Sequence, residues 1–177
     1  SEASDIQQDK CIAGIVTGNL FAEQWASQAQ AVDFYDVKGD VEALLDGCGV
    51  SAEFQAAAHP ALHPGQTASI RIGERLAGWV GCIHPGLAQQ FEIPSRTYLF
   101  ELELQSLLKG SVASFQKISR FPSIRRDLAI VVNVETPTGA LCDSIRQQAG
   151  ALLQDLLVFD VYQGPGIESG RKSIAFG

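Results

Sequence analysis

Two apolar, β-branched runs, ASIRIG and RLAGWVGCIHP, meet at Gly73-Glu74. Strands joined by so short a connection form a hairpin and run antiparallel. That hairpin commits the first part of the chain to a sheet, and its neighbours supply further strands. CIAGIVTGNL is apolar and β-branched with a Gly-Asn turn signal behind it, and SAEFQAAA reads as another strand. In TYLFELELQSLL, Leu99, Glu101 and Glu103 alternate with Tyr98, Phe100, Leu102 and Leu104, which predicts a strand with one wet face. From Tyr35 onward, Val37, Val41, Leu44 and Leu45 recur at helical spacing until Asp46-Gly47 closes the run. PGLAQQFEI predicts a short helix with proline in its first turn. HPALHPGQTA reads as a loop, because each proline pushes the residue before it into extended geometry. Residues 10–107 are therefore expected to form a mixed, largely antiparallel sheet with helices.

Lys109, Gly110, Ser111 and Val112 mark the expected linker, which divides the chain into domains 1–110 and 111–177. The charge changes at the same place. Residues 1–110 carry 6 basic and 14 acidic side chains, a net of −8, whereas residues 111–177 carry 7 and 6, a net of +1. Beyond the linker, RDLAIVVNV is a strand, and a helix over PTGALCDSIRQQAG starts at Thr136-Pro137 and stops at Gly150. LLVFDVYQG is a second strand, QGPGIESGRK a turn-rich connection, and KSIAFG the start of a third strand. Strand, helix, strand, hairpin, strand is the first two-thirds of a ferredoxin-like split βαβ unit. The fold class is α+β. The absence of methionine and the ending inside an apolar run lead us to expect a fragment with a truncated last domain.

Several chemistries are disfavoured. No stretch approaches the ~20 apolar residues of a membrane helix, and the acidic, polar SEASDIQQDK has no resemblance to a secretory signal. Cys11, Cys48, Cys82 and Cys142 form no CxxC pair, so they are expected to be reduced, mostly buried thiols in a cytosolic protein. His59 and His63 are four apart, but Pro60 and Pro64 forbid the helix that would converge them on a metal, and His84 reads as a strand-end residue. There is no GxSxG and no GxxxxGK[ST], and no carboxylates can be paired for acid–base work, so no catalytic residue is assigned.

Two segments carry more. KISRFPSIRR places Lys117, Arg120, Arg125 and Arg126 around Phe121-Pro122, just ahead of a strand. It is either a charged strand entrance or an edge that meets nucleic-acid phosphates, where cations displace counterions. FDVYQG sets Asp160 and Tyr162 on one face and Phe159 and Val161 on the other. A sheet-borne aromatic stacks on an unpaired base with about 1–3 kcal/mol, and a neighbouring carboxylate accepts hydrogen bonds from base amino or imino groups. The competing reading is a core tyrosine with a satisfied hydroxyl.

FQKISRFPSIRRDLAIVV, VFDVYQGPGIESGRKSIAF and, upstream, FYDVKGDVEALL, HPGQTA and GWVGCIHP resemble, in order, the C-terminal portion of bacterial phenylalanyl-tRNA synthetase β subunits. The resemblance implies that residues 1–110 are the late part of a class II synthetase-like module without a working active site, serving as scaffold and subunit contact. It implies that residues 111–177 are a ferredoxin-fold anticodon-binding domain lacking its final helix and strand. Asp160, Tyr162 and Ser173 would then surround the first anticodon base, Tyr162 stacking and the other two hydrogen-bonding a guanine. The partners implied are the phenylalanine tRNA and a catalytic α subunit, in a cytoplasmic heterotetramer of two α and two β chains, with no membrane or DNA. No cofactor is expected in this chain; ATP and magnesium would act in the holoenzyme. The alternative is a protein-interaction scaffold without direct RNA contact, which the −8 of the first half suits.

Overall fold

The structure, a computed structural model, describes residues 8–108 and 122–177. The chain divides into two compact units, Ser1–Phe115 and Gln116–Gly177. The expected linker, Lys109 to Val112, lies outside the described residues.

The first unit is built on a five-stranded sheet ordered β1-β5-β4-β3-β2, comprising β1 (Cys11–Thr17), β2 (Glu53–Ala56), β3 (Leu62–Ile72), β4 (Arg75–Ile83) and β5 (Thr97–Glu103). All four pairings are antiparallel. The β3–β4 hairpin turns through Gly73-Glu74, with Ile72 opposite Arg75. Gly73 has φ +60° while Glu74 has an ordinary negative φ, the pattern of a type II′ turn that matches strand twist.

Helix α1 (Phe34–Gly47) packs on β4 and β5. Its start is set by Asp33, whose carboxylate accepts from the backbone N–H groups of Tyr35 and Asp36, while Asp36 reaches back to the Asp33 N–H. That reciprocal cap satisfies helix-end donors that would otherwise be orphaned. Val37, Val41 and Leu45 are buried on one stripe against Ile70, Val80, Tyr98 and Leu102. Burial of each such aliphatic side chain contributes about 1.5–3 kcal/mol, so this stripe is what holds the helix to the sheet.

Two segments differ from the sequence expectation. HPALHPGQTA is not all loop, because β3 begins at Leu62 and runs through Pro64. The proline is tolerated because the ladder is broken there. The β3–β4 register jumps between Leu62 and Thr67, and β2 reaches only from Ala68 to Arg71. The Thr67 hydroxyl closes the gap by donating to the His63 carbonyl at 2.6 Å. The TYLFELELQSLL strand also ends early, at Glu103, and a short helix α3 (Leu104–Leu107) follows, with Leu107 buried in the core.

The three histidines share one local device. In each His-Pro-x tripeptide the imidazole Nδ1 accepts the backbone N–H two residues on, from Ala61, Gly65 and Gly86 at 3.3, 3.0 and 3.1 Å. His84 thereby caps helix α2 (Pro85–Gln90), which has the expected proline in its first turn. Among the described residues, no group of three or more histidine, cysteine or acidic side chains converges on a common point. The cysteines are all free, but only Cys82 is buried; Cys11 is exposed and Cys48 and Cys142 are half-buried, so the expectation of mostly buried thiols is corrected.

The second unit has a three-stranded antiparallel sheet ordered β6-β8-β7, from β6 (Leu128–Asn133), β7 (Val158–Tyr162) and β8 (Arg171–Phe176). Helix α4 (Thr138–Ala149) joins β6 to β7, and Gly150 with φ +53° ends it. The third strand in sequence lying between the first two is the arrangement expected of the ferredoxin-like pattern. No helix among the described residues is long and apolar enough to cross a membrane.

Two measurements check this account. A Cβ at Gly78 would sit 2.0 Å from the Glu101 carbonyl oxygen on the paired strand, whereas exposed Gly39 in α1 has open space. In urea unfolding, Gly78→Ala is expected to cost about 1–3 kcal/mol, while Gly39→Ala should stabilise by about 0.5–1 kcal/mol. The second concerns Cys82, which faces Tyr98 across β4–β5. Burial pushes the Cys82 thiol and the Tyr98 hydroxyl up from their ordinary ranges. Both groups therefore favour folding while protonated, and that stability is lost as pH rises past the usual thiol and phenol range. Alkylation of the native chain at mildly alkaline pH should modify exposed Cys11 first and Cys82 last, as read by peptide mass spectrometry.

Candidate nucleic-acid interface

Directly opposed residues in a sheet project from the same face, so the register of the second unit assigns its two surfaces. Leu128 opposes Phe176, Ile130 opposes Ile174, and Val161 also opposes Ile174. This is the inner face, on which Ile174 and Phe176 are buried. Ile145 of α4 lines the same groove as Leu128 and Phe176, so the helix lies on this side.

The opposite face is open. It carries Val131 opposite Ser173, Ala129 opposite Ala175, and, from β7, Tyr162 opposite Ser173 and Asp160 opposite Ala175. The three residues singled out from the sequence are therefore brought together. Tyr162 and Ser173 are direct cross-strand neighbours, and Asp160 is the next residue along β7 on the same surface. Tyr162 is 43% exposed and Val131 45%, and Asp160 is exposed too. Among the described residues neither the Asp160 carboxylate nor the Ser173 hydroxyl has a hydrogen-bond partner, so both are available to a ligand. The reading of Tyr162 as a core residue is thus set aside, although its hydroxyl is satisfied, donating to the Pro165 carbonyl at 3.0 Å.

Val161 opposes Ile174 on the other face, as alternation along the strand predicts, and the β7–β8 register shifts between Val158 and Asp160, leaving Phe159 without a register partner. A bulge inserts an extra residue and bends the strand. Phe159 is exposed, and the Arg125 guanidinium sits over its ring at 5.8 Å.

The basic cluster is only partly available for phosphates. Arg125 is engaged by Phe159 and by Asp127, whose carboxylate lies 3.0 Å from its Nε. Arg126 is exposed and has no partner among the described residues. Lys117 and Arg120 lie outside the described residues. On the open face, Arg171 is 3.2 Å from Glu168. A cavity of about 770 Å³ is a groove on the inner side lined by Ile124, Arg125, Leu128, Ile145, Leu152 and Phe176 among others. It lies away from Asp160, Tyr162 and Ser173, and its walls are mainly apolar. A flat, open face suits a stacked base better than an enclosed pocket would.

Sequence reasoning missed Gly164. A Cβ there would fall 2.7 Å from the Tyr162 Oη and 2.9 Å from Cζ, so the ring lies against this glycine. The Gly-Pro-Gly run after Tyr162 was visible only as turn chemistry, which hides a packing role.

Comparison with known proteins decides the family. A profile described as "Phenylalanyl tRNA synthetase beta chain CLM domain" matches residues 1–104, and one described as "Ferredoxin-fold anticodon binding domain" matches residues 119–177. The chain belongs to the phenylalanyl-tRNA synthetase β-chain family. The phenylalanine–tRNA ligase β subunit of Pseudomonas putida is 46% identical over 99% of this chain. Those of Nitrosococcus oceani and Methylococcus capsulatus are 42% and 43% identical over 98% and 97%. This chain spans 22% of the length of each of these relatives. The resemblance drawn from the SRFP and FDVY segments is thereby borne out, and so is the ferredoxin-like assignment of the C-terminal unit.

The two-faced sheet makes a direct prediction. Ile174→Ala, on the buried face, should destabilise the second unit by about 2–5 kcal/mol. Val131→Ala, on the open face, should change it by no more than about 0.5 kcal/mol. Amide-exchange protection of β8 reads both, and equal losses would contradict the assignment of faces.

Proposed function

We propose that this chain is the part of a phenylalanine–tRNA ligase β subunit that holds the tRNA anticodon on the open face of its C-terminal sheet. The observation that carries the reading is the placement of exposed Tyr162 directly opposite Ser173, with Asp160 beside it on the same face. Tyr162 stacks on the first anticodon base. Asp160 accepts from the amino and imino groups of a guanine, and the Ser173 hydroxyl completes the hydrogen bonding. Stacking is tolerant of base identity, so discrimination falls to the two polar side chains. Arg126, and from their sequence positions Lys117 and Arg120, supply charge towards phosphates.

In this reading the chain contributes no catalytic group. The first unit is the late part of a class II synthetase-like module that serves as scaffold, and its acidic surface contacts the catalytic α subunit. Attachment of phenylalanine to its tRNA would proceed in the α subunit with ATP and magnesium, within a cytoplasmic assembly of two α and two β chains. A second reading, a protein-contacting scaffold without RNA, is favoured by one observation: Arg125 and Arg171, two of the cations of the C-terminal unit, are already paired with carboxylates. Pull-down with and without nuclease separates the two, because a protein contact survives nuclease.

The direct test is tRNA affinity of the complete enzyme carrying Tyr162→Ala. Removing a stacked ring should weaken binding by about 1–3 kcal/mol, and charging at sub-saturating tRNA should fall with it. Unchanged affinity and charging would remove Tyr162 from the interface.

A further inference from the structure

We infer that Gly164 is a positioning residue for Tyr162, and that the Gly164-Pro165 step fixes the phenol ring in its stacking pose before RNA arrives. The inference rests on the reading of Tyr162 as the base-stacking residue.

The connection from β7 to β8 contains Gly164, Gly166 and Gly170. Gly166 and Gly170 have φ +94° and +81°, in the region that side chains rarely adopt, so the backbone itself calls for glycine there. Gly164 lies outside that region, and its backbone would accept alanine. What it lacks is room. An added Cβ would stand 2.7, 2.9 and 3.3 Å from Oη, Cζ and Cε2 of Tyr162. The outer half of the ring therefore rests against Gly164, and the hydroxyl is tied to the Pro165 carbonyl two positions from Ile167, whose N–H in turn donates to the Gly164 carbonyl at 3.1 Å. The same short turn thus supplies both the surface under the ring and the acceptor for its hydroxyl.

An exposed aromatic that swings between rotamers loses that freedom when a base stacks on it. A ring held by one contact and one hydrogen bond has lost it already. The clash partner is the far end of a side chain and not backbone, so alanine at 164 displaces the ring and leaves the strand pairing in place.

The test compares wild type, Tyr162→Ala, Tyr162→Phe and Gly164→Ala in the complete enzyme, using phenylalanine tRNA and a version with its first anticodon base changed. Tyr162→Phe should weaken binding roughly 2- to 10-fold, the net worth of one hydrogen bond. Gly164→Ala should approach Tyr162→Ala in affinity, with an unchanged unfolding midpoint. In the 177-residue chain, the nuclear Overhauser contact between the Tyr162 ring and the Gly164 α-protons should be strong, and the Tyr162 ring signals should shift in the Gly164→Ala variant. If Tyr162→Ala weakens binding while Gly164→Ala binds as wild type does, the positioning role is wrong and the stacking role stands. If Gly164→Ala lowers the unfolding midpoint and Tyr162→Phe changes nothing, Gly164 is merely structural. If Tyr162→Ala itself is silent, the stacking role fails and the positioning role with it.

Discussion

The open face of the C-terminal sheet exists because Ile174 is buried. Ile174 sits at the middle of the central strand with no exposed surface, and Phe176 follows it inward. Side chains alternate along a strand, so burying these two sends Ser173 and Ala175 to the other side. Through the register, the same choice sends Tyr162 and Asp160 there as well. A slip of one residue would exchange the faces and bury the polar set. The apolar contact on one side thus determines where the hydrogen-bonding groups stand on the other, with no interaction between the two sets of side chains.

The two units meet different physical requirements. In the first, helix α1 buries a stripe of Val37, Val41 and Leu45 against a five-stranded sheet, and the β5 backbone comes close enough to β4 to exclude even a methyl group at Gly78. In the second, no residue of α4 is fully buried, and Leu128, Leu152 and Leu157 remain exposed. A sheet so lightly covered on its inner side contributes little beyond Ile174 and Phe176 to its own stability. Its outer side gains from this arrangement only what a ligand needs, a flat surface with an aromatic ring and unpaired polar groups.

Much of this was legible in the residues. Helix α1 follows from the spacing of its valines and leucines, and the hairpin at Gly73-Glu74 from the brevity of the link. The strand–helix–strand–hairpin–strand order identified the ferredoxin-like unit, and the alternation through Asp160 and Tyr162 placed both on one surface. What escaped has specific causes. Proline argues against a strand, and Pro64 was tolerated only because the ladder lapses there. The bulge at Phe159 depends on how β7 registers with β8, which no local pattern reports. Cysteine is an apolar residue by composition, yet burial of Cys11 would have required a covering element on its edge strand β1. Gly164 looked like turn chemistry, because a ring pressed against a glycine leaves no mark in the sequence.

The central claim is that RNA meets the face opposite α4. The measurement that tests it most directly is an amide chemical-shift titration of this chain with the phenylalanine anticodon stem-loop, at two salt concentrations. Perturbations should gather at Ala129, Val131, Asp160, Tyr162, Ser173 and Ala175, and diminish when the first anticodon base is changed. Perturbations confined to the inner groove around Leu128, Ile145 and Phe176, or spread without regard to that base, would contradict it.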